Sequence, residues 1–297
     1  ATLSRQGPSQ HLTLSFVAGS PGIFEYVVSA REDPKESIRE NNRRSFTIHI
    51  LDTKLEVLVV DRARWEYKYL KMALEQDPNI RFTGAVLTQK NLFTIQGGGP
   101  EKGDGGRAAG AALGAGLPST EDDFKNWDVV ILGDIPAEAF TLEQLDALKA
   151  FVENGGGFCA TGGDGALGEG GYASTPVAQL VPVEIGGHRD VPAAGPFVMS
   201  VTREGREHPV MQGITRFFEG PGDVTCELDS SNGIGSSKPG SSVLAVHPTA
   251  TVAGEPLPVI AVARYGKGKT AVVASRTTYT WHLKPRGLGL DSPHVRF

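Results

Sequence analysis

The sequence predicts an α/β fold with a mostly parallel sheet, and two features of the chain indicate it. Residues 128–163 read in succession as a strand, a helix and a second strand. Residues 55–61, LEVLVVD, form another apolar strand, and a helical pattern follows from about residue 65 to residue 75. Two parallel strands joined by a helix need a crossover connection, so helices are expected on both faces of the sheet.

Each of the two strands that flank the central helix is followed directly by a glycine. Residues 128–132, DVVIL, are apolar after the first position and are followed by Gly133 and Asp134, which is typical of a strand buried on both faces of a parallel sheet. Residues 158–161 form the second strand, and Gly162 opens a glycine-rich loop.

The helix between these strands carries its own start and stop signals. Thr141 can cap the first turn together with Gln144, and the glycines at 155–157 end the helix. Its apolar residues repeat at helical spacing: Leu142, Leu145, Leu148 and Val152.

Ligands of open α/β sheets bind beyond the carboxyl ends of the strands. The polar residues and glycines expected there form one candidate ligand-binding group, which we call the carboxyl-edge cluster: Asp61, Arg64, Glu66, Asp134, Gly162, Gly163 and Asp164. Two interpretations stay open, because Arg64 either pairs structurally with Asp61 or Asp134 or recognises a ligand.

The amino-acid composition of the chain limits the classes of partner that it is expected to bind. The 297-residue chain is 39% hydrophobic and 21% charged, as in soluble globular proteins, and it is long enough for two domains. Its net charge is -5 and it has no dense run of lysine and arginine, so nucleic acid is not an expected partner. No apolar segment approaches the roughly 20 residues that cross a bilayer, so no membrane segment is expected. The two cysteines, Cys159 and Cys226, exclude a disulfide scaffold.

Residues 1–52 read as part of an immunoglobulin-like β-domain. Residues 12–17, 23–29 and 45–50 alternate in polarity or are rich in aromatic residues, which is typical of strands. Three strands cannot close a sandwich, so we expect its first strands to lie upstream of Ala1. The alternative is a β-appendage folded onto the main domain.

The α/β domain is expected to span residues 53–297, with a flexible insertion at residues 97–118. That insertion, GGGPEKGDGGRAAGAALGAGLP, is rich in glycine and poor in bulky apolar residues, so it should bury little. Other predicted elements are strands at 80–87, 183–185, 196–201, 257–265 and 270–275, a short helix at 175–180 and a hairpin or loop tip at 230–233.

Several motifs together resemble one family. They are DRARWEY at 61–67, the glycines at 155–157, GG at 162–163, GEGGY at 168–172, TP at 175–176, HP at 208–209 with Gly213, and RYGKG at 264–268. Their combination is similar to the glutamine amidotransferase-like domain of large bacterial membrane proteins, over about residues 52–297. The resemblance implies a flavodoxin-like three-layer fold, a preceding β-sandwich and a further helix beyond Phe297. It also implies that the other domains of a membrane-anchored, extracytoplasmic parent protein are the partners.

Active members of the resembled family use a cysteine on a sharp turn after a buried strand, and this chain departs from that pattern. The residue at the turn is Gly162, whereas Cys159 lies inside the strand, where a buried thiol keeps its proton. His208, before Pro209, is expected to be a turn residue. No catalytic residue is therefore predicted. The alternative is a thiol-dependent amidase or amidotransferase with Cys159 as nucleophile and His208 or His188 as base.

No cofactor and no metal are expected. Residues 163–168, GDGALG, have the glycine spacing of a dinucleotide fingerprint, but such a fingerprint opens a helix, and here the glycine loop continues. No pair of histidines or carboxylates has metal-ligand spacing. The leading hypothesis is a non-catalytic binding or structural module with an amidotransferase-like fold. A sugar- or polymer-binding surface at the Gly162 loop is a further possibility.

Overall fold

The computed structural model describes residues 20–31, 42–50, 54–99, 113–186, 194–219 and 224–297. Contacts divide the chain into two compact units, Ala1–Thr53 and Lys54–Phe297. The predicted strand at 12–17 and residues 100–112 of the predicted insertion lie outside the described residues.

The described part of the smaller unit is an antiparallel pair of strands. They are β1 (Gly22–Ser29) and β2 (Arg43–Ile50), which match the strands predicted at 23–29 and 45–50. Tyr26 lies opposite Phe46, and their rings stack with centroids 5.9 Å apart. The strand pair is thus present as predicted, and its assignment to an immunoglobulin-like sandwich stays a prediction.

The larger unit is built on a nine-stranded sheet and has a second, two-stranded sheet. The nine strands are β3 (Leu55–Arg62), β4 (Ile80–Gln89), β5 (Leu92–Gly97), β6 (Val129–Leu132), β7 (Gly157–Thr161), β9 (Ser200–Val201), β11 (Ser242–Val252), β12 (Glu255–Tyr265) and β13 (Gly268–Val273). The two-stranded sheet pairs β8 (Ala194–Phe197) with β10 (Leu228–Ser230).

The large sheet has the order β5-β4-β3-β6-β7-β13-β12-β11-β9. The strands from β4 to β13 in this order run parallel. The pairs at both sides, β5 with β4 and β13 through to β9, are antiparallel. The sheet is therefore mixed, whereas the sequence predicted a mostly parallel one. The β4–β5 hairpin extends the parallel centre on one side, and β12, β11 and β9 extend it on the other.

Seven α-helices accompany the sheet in the described residues. They are α1 (Trp65–Gln76), α2 (Glu121–Phe124), α3 (Leu142–Glu153), α4 (Val177–Leu180), α5 (Arg203–Glu207), α6 (Thr280–Gly287) and α7 (Pro293–Arg296). Short 3-10 turns lie at Leu113–Ala115, Ala137–Ala139, Tyr172–Ser174, Pro209–Met211 and Thr215–Phe217. No helix in these ranges has the length and apolar character needed to span a membrane.

The two long helices cover opposite faces of the sheet. Successive side chains of a strand point to opposite faces. Val57 and Val59 of β3 share a hydrophobic cluster with Tyr67 of α1. Leu58 of β3 belongs instead to the large cluster that contains Leu148 of α3. The α/β layering predicted from the sequence is therefore present.

The capping signals of α3 act as predicted. Thr141 Oγ1 accepts a hydrogen bond from the Gln144 N–H, and the Thr141 N–H donates to Gln144 Oε1 at 2.9 Å. Gln144 also donates its side-chain N–H to the carbonyl oxygens of Ala115 at 3.2 Å and Leu117 at 2.6 Å. The first turn of the helix thus fixes the segment that leads into β6.

The end of the predicted insertion is packed, contrary to expectation. Leu113 and Leu117 have no exposed surface and belong to the main core. Two leucines in a run of small residues are enough to anchor the segment, so the expectation that residues 97–118 bury little is wrong at 113–118.

Other differences concern short elements. Residues 183–185 form only an isolated bridge from Val183 to Ser237, and the strand predicted at 196–201 is split between β8 and β9. β5, β10, β11, α2, α5, α6 and α7 were not predicted from the sequence.

Candidate functional site

The carboxyl ends of β3, β6 and β7 meet at one edge of the sheet. The parallel registers place Val60 beside Leu132 and Leu132 beside Ala160, so the residues that follow these strands are neighbours. From β3 the chain passes through α1 to β4 on one side, whereas β6 lies on the other side. This reversal of strand order is where open α/β sheets bind ligands.

Asp61, at the end of β3, is the most buried member of the carboxyl-edge cluster. Its Oδ1 accepts hydrogen bonds from the backbone N–H of Arg62 at 2.8 Å and of Asp134 at 2.9 Å. Arg64 Nε lies 3.0 Å from both carboxylate oxygens. Burial raises the pKa of Asp61, while the Arg64 charge acts in the opposite direction. Gly133 leaves room for this carboxylate, because a Cβ at residue 133 would overlap it.

Arg64 joins the end of β3 to the end of β7. Besides its contact with Asp61, it donates from Nη1 to the Gly162 carbonyl oxygen at 2.8 Å and from Nη2 to Thr161 Oγ1 at 3.2 Å. Its side chain is only 14% exposed. Each of its three nitrogen atoms therefore donates within the protein, and the structural pairing that the sequence left open is with Asp61 and not with Asp134.

Asp134 pairs with Arg62. Arg62 Nε donates to the Asp134 carbonyl oxygen at 2.6 Å and lies 3.4 Å from its Oδ2. The Gly165 N–H donates to Asp134 Oδ1 at 2.5 Å. The side chain of Asp134 is 7% exposed and that of Arg62 is 40% exposed. Asp134 thus holds the loop after β7, and Arg62 remains partly open to solvent.

Glu66 lies in the first turn of α1 and faces the segment before α6. Its Oε1 accepts a hydrogen bond from the Thr278 hydroxyl, and its Oε2 accepts one from the Tyr279 N–H at 3.1 Å. Burial raises the pKa of Glu66, although the bond from Thr278 and the charge of Arg64 oppose this shift. Glu66 therefore belongs to the edge through its position on α1 and makes its hydrogen bonds away from the aspartates.

The turn after β7 is filled from another part of the chain. Asn232 Nδ2 donates to the Gly163 carbonyl oxygen at 2.8 Å, and the Gly163 N–H donates to Asn232 Oδ1 at 3.1 Å. A Cβ at Gly162 would overlap Asn232 Oδ1 and would lie 2.7 Å from backbone atoms of Ser275. Residues 230–233 were predicted to be a hairpin or a loop tip. Asn232 is 3% exposed, because these two hydrogen bonds draw the segment into the core, and the prediction of an exposed tip is wrong.

Asp164 is the exposed member of the cluster. Its side chain is 73% exposed and forms an ion pair with Arg276, which also donates from Nε to Ser230 Oγ at 3.1 Å. The structure thus brings Asp61, Arg64 and Gly162 into direct contact and sets Asp164 at the surface. Thr161, Asn232 and Thr278 complete the site, and no local sequence signal distinguishes them because their partners are far along the chain.

Cys159 lies in β7, three residues before the turn, and its side chain is on the opposite face from those of Phe158 and Ala160. Burial raises the pKa of its thiol to about 12. Sγ lies 3.9 Å from the Ala160 carbonyl oxygen, and no described histidine is hydrogen-bonded to it. The thiol is therefore a weak donor in this environment and holds its proton at neutral pH.

The structure describes only one of the two histidines that the alternative assigns as the base. His208 caps the 3-10 turn at Pro209–Met211, where its Nδ1 accepts a hydrogen bond from the Val210 N–H at 3.3 Å. His188 lies outside the described residues. Within the part of the chain that the structure describes, no group of three or more histidine, cysteine, aspartate or glutamate residues could hold a metal ion.

The parallel centre of the sheet, the helices on both faces and the cluster at the switch point define an α/β domain consistent with a flavodoxin-like fold. Residues 109–286 match the family described as "putative glutamine amidotransferase", and the chain therefore belongs to that family. The match covers β6, α3, β7 and the hairpin β12–β13, so the candidate site lies partly within it.

Two solved structures align with most of this chain. A cytoplasmic protein from Salmonella typhimurium aligns with a TM-score of 0.50 at 16% identity, over 85% of this chain and 84% of that chain. A protein from Bacteroides uniformis described as "putative thua-like" aligns with a TM-score of 0.46 at 12% identity, over 77% of this chain and 84% of that chain. At such identities the first similarity concerns the fold alone. No curated protein matches the sequence.

Proposed function

We propose that this domain is a non-catalytic binding or structural module, a pseudo-amidotransferase in which glycine occupies the position of the elbow nucleophile. The observation that carries the proposal is the packing at Gly162. A side chain there would overlap Asn232 and come within 2.7 Å of the Ser275 backbone. A reactive thiol at the turn, which needs space and oxyanion donors around it, has no room without movement of both neighbours.

The environment of Cys159 supports the same proposal. A cysteine nucleophile reacts as the thiolate, and reactive cysteines lie beside positive charges or helix N-termini that lower the pKa. At Cys159 burial acts alone and raises the pKa to about 12. Arg64 carries a positive charge at this edge of the sheet, but it donates its hydrogen bonds to Asp61, Thr161 and Gly162.

A ligand at the carboxyl edge would meet the charged side chains that remain open to solvent. These are Arg62 at 40%, Arg276 at 37% and Asp164 at 73% exposure. The buried pair of Asp61 and Arg64 holds the two strand ends in place beneath them. In this proposal the exposed charged side chains recognise the ligand, and the buried pair of Asp61 and Arg64 keeps the strand ends rigid.

The wider context of the proposal is a larger envelope protein. The motifs that resemble the domain of membrane-anchored bacterial proteins support it, and the other domains of such a protein would be the partners. The similar protein from Salmonella typhimurium is described as cytoplasmic, which differs from the extracytoplasmic location proposed here. Protease accessibility of the full-length parent protein in spheroplasts, whose cytoplasmic membrane is intact, and in lysed cells tests the location: digestion only after lysis would contradict an extracytoplasmic position.

The alternative is a thiol-dependent amidase or amidotransferase that uses Cys159 with His208 or His188 as base. One observation favours it: Cys159 lines a cavity and is only partly buried. The two proposals differ in the reactivity of this thiol, which can be measured directly.

The test compares iodoacetamide labelling at pH 7.5 in the native protein and in the Cys159→Ala and Cys226→Ala variants, read by mass spectrometry. We expect slow labelling at both cysteines, because burial raises the pKa of Cys159 to about 12 and of Cys226 to about 11. We also expect no ammonia release from glutamine above that of Cys159→Ala. Rapid labelling confined to Cys159, with glutamine hydrolysis lost in Cys159→Ala, would overturn the non-catalytic proposal.

A further inference from the structure

The segment of residues 292–297, which contains α7, forms part of the wall of a cavity of about 360 Å³. Four residues of this segment line the cavity: His294, Val295, Arg296 and Phe297. Residues of α1 and of the strands β6, β7 and β13 form most of the remaining lining, and Cys159 of β7 is one of them. Movement of α7 away from the sheet would therefore open the cavity and uncover this cysteine.

The segment is joined firmly to α6 at its start and more loosely at its end. Ser292 Oγ and His282 Nδ1 form a hydrogen bond at 3.1 Å, which fixes the start of the segment to α6. At the other end, the Phe297 ring packs edge-on against Trp281 of α6, with the ring centroids 5.5 Å apart. The segment can therefore pivot after Ser292 if the apolar contact at Phe297 is released.

The junction between α6 and α7 contains two buried polar atoms that have no hydrogen-bond partner among the described residues. They are His294 Nδ1 and Trp281 Nε1. His294 is 7% exposed and Trp281 is 0% exposed. A buried polar atom without a partner loses the hydrogen bonds that it would make to water. The docked position of α7 is thus destabilised by its own polar groups, which favours local opening at this junction.

We propose that α7 is a pH-sensitive lid of this cavity, which opens when His294 takes up a proton. A charged imidazole cannot stay buried without a partner, because the interior does not replace its hydration. In the open position water solvates the charge. The lid therefore closes over a neutral His294 and releases a charged one.

The charged and titratable groups around His294 do not provide that partner. On α6, His282 disfavours a second positive charge, and on α7 itself Arg296 does the same. On α1, Glu66 lines the cavity but already accepts two hydrogen bonds, and burial raises its pKa, so it loses its charge as the pH falls. Asp77, just after α1, also lines the cavity and is exposed to solvent.

The sign and size of the pH effect follow from the titration of His294. Burial lowers its pKa to about 4 from the ordinary value of 6.5, and the charge of His282 acts in the same direction. Such a group binds its proton preferentially in the open form, so the closed form is fully stable only above pH 6.5 and loses stability as the pH falls toward 4. With the ordinary pKa in the open form, the ratio of open to closed protein increases about tenfold between pH 7.5 and pH 5.5.

Labelling of Cys159 with a maleimide attached to polyethylene glycol measures the opening, since the polymer is too bulky for the closed cavity. Each rate is divided by the rate of the urea-unfolded protein at the same pH, which removes the effect of pH on thiol reactivity. His294→Phe keeps a ring of similar size without a titratable nitrogen. We expect the normalised rate of the wild type, relative to that of His294→Phe, to increase about tenfold from pH 7.5 to pH 5.5. If His294→Phe does not fold, His294→Leu replaces it.

Three controls identify the moving part. Cys226 packs in the same cluster as Trp281 but does not line the cavity, so it reports opening of α6 or of the whole domain, and it should label at least about tenfold more slowly than Cys159. Phe297→Ala removes the edge contact with Trp281 and should accelerate labelling of Cys159 about fivefold at both pH values. Leu288→Ala alters an exposed residue outside the cavity and should change neither rate.

Three results would overturn the inference. They are the same pH dependence at Cys159 in the wild type and in His294→Phe, equal rates at Cys159 and Cys226, and labelling that Phe297→Ala does not accelerate. The inference goes beyond the proposed function, and under the alternative function the same lid would control access of a substrate to Cys159. Glutamine hydrolysis that is lost in Cys159→Ala would contradict the non-catalytic proposal, whereas the comparison with His294→Phe would still report the lid.

Discussion

The ends of β3 and β7 lie at the same edge of one sheet, yet they are closed in different ways. At β3, a buried aspartate and an arginine form an ion pair, and the arginine reaches across to β7. At β7, the turn has no side chain at Gly162, and the amide of Asn232 occupies the adjacent space. One end is therefore held by charge and the other by close backbone packing.

The difference bears on catalysis. A nucleophile at a strand end needs an open position with donors directed towards it, as at the elbow of an amidotransferase. Here the donors at this edge already have acceptors within the protein: Arg64 donates to Asp61, Thr161 and Gly162, and Asn232 donates to Gly163. The interactions of these side chains at this edge join the strand ends.

Arg64→Met should have the largest effect. It removes the partner of a carboxylate whose side chain is 1% exposed, and breaking a buried pair from one side costs about 3–5 kcal/mol. The measurement is the free energy of unfolding in urea. Arg62→Met is the matched control, because Arg62 is 40% exposed and its pair with Asp134 should contribute at most about 1 kcal/mol. Equal losses in the two variants would contradict the assignment of Arg64 as the link between strand ends.

Gly162→Ala should follow, with a loss of about 1–3 kcal/mol from overpacking against Asn232 and the Ser275 backbone. Gly287→Ala is the control, since a Cβ at residue 287 meets nothing within 4 Å. The double variant Gly162→Ala/Asn232→Ala should recover none of the stability, because the Ser275 contact remains and Gly163 loses both hydrogen bonds to Asn232. A neutral Gly162→Ala would show that the turn can hold a side chain and would weaken the non-catalytic proposal.

The same contrast explains what the sequence could predict. β3 and α3 were found because apolar runs and the pairing of Thr141 with Gln144 are local signals. The role of Asn232 was missed because its partners, Gly162 and Gly163, lie about 70 residues earlier in the chain. Nothing in the sequence around Asn232 distinguishes a buried amide from a loop tip.

The carboxyl-edge cluster itself could be predicted because strand ends of a parallel sheet converge. Its internal pairing could not, since Arg64 had two candidate partners and the choice of Asp61 depends on the turn after β3. In the same way, Leu113 and Leu117 were hidden in a glycine- and alanine-rich run whose composition indicates little burial. Composition averages over a segment, whereas packing depends on single side chains.

A smaller, pH-dependent effect is expected from Glu66→Gln. Because burial raises the folded-state pKa of Glu66 above its ordinary value of 4.5, the folded protein retains a proton that the unfolded chain releases. The contribution of Glu66 to stability is therefore fully present below pH 4.5 and declines as the pH rises through the folded-state pKa. Glutamine does not titrate, and the Thr278 hydroxyl can rotate to accept from its amide. The stability of Glu66→Gln relative to the wild type, measured by urea unfolding from pH 4 to pH 8, should thus increase with pH. A constant difference would mean that Glu66 ionises normally.

Asp164→Ala should have the smallest effect, although it too removes an ion pair at the carboxyl edge. The pair of Asp164 and Arg276 is 73% and 37% exposed, so water competes with it and its contribution should be about 0–1 kcal/mol. Salt screens exposed charges, and 1 M NaCl should abolish the difference in urea unfolding between Asp164→Ala and the wild type but leave most of the Arg64→Met effect. A loss at Asp164 as large as that at Arg64 would contradict the division of this edge into a buried layer that holds the strands and an exposed layer that is free to meet a ligand.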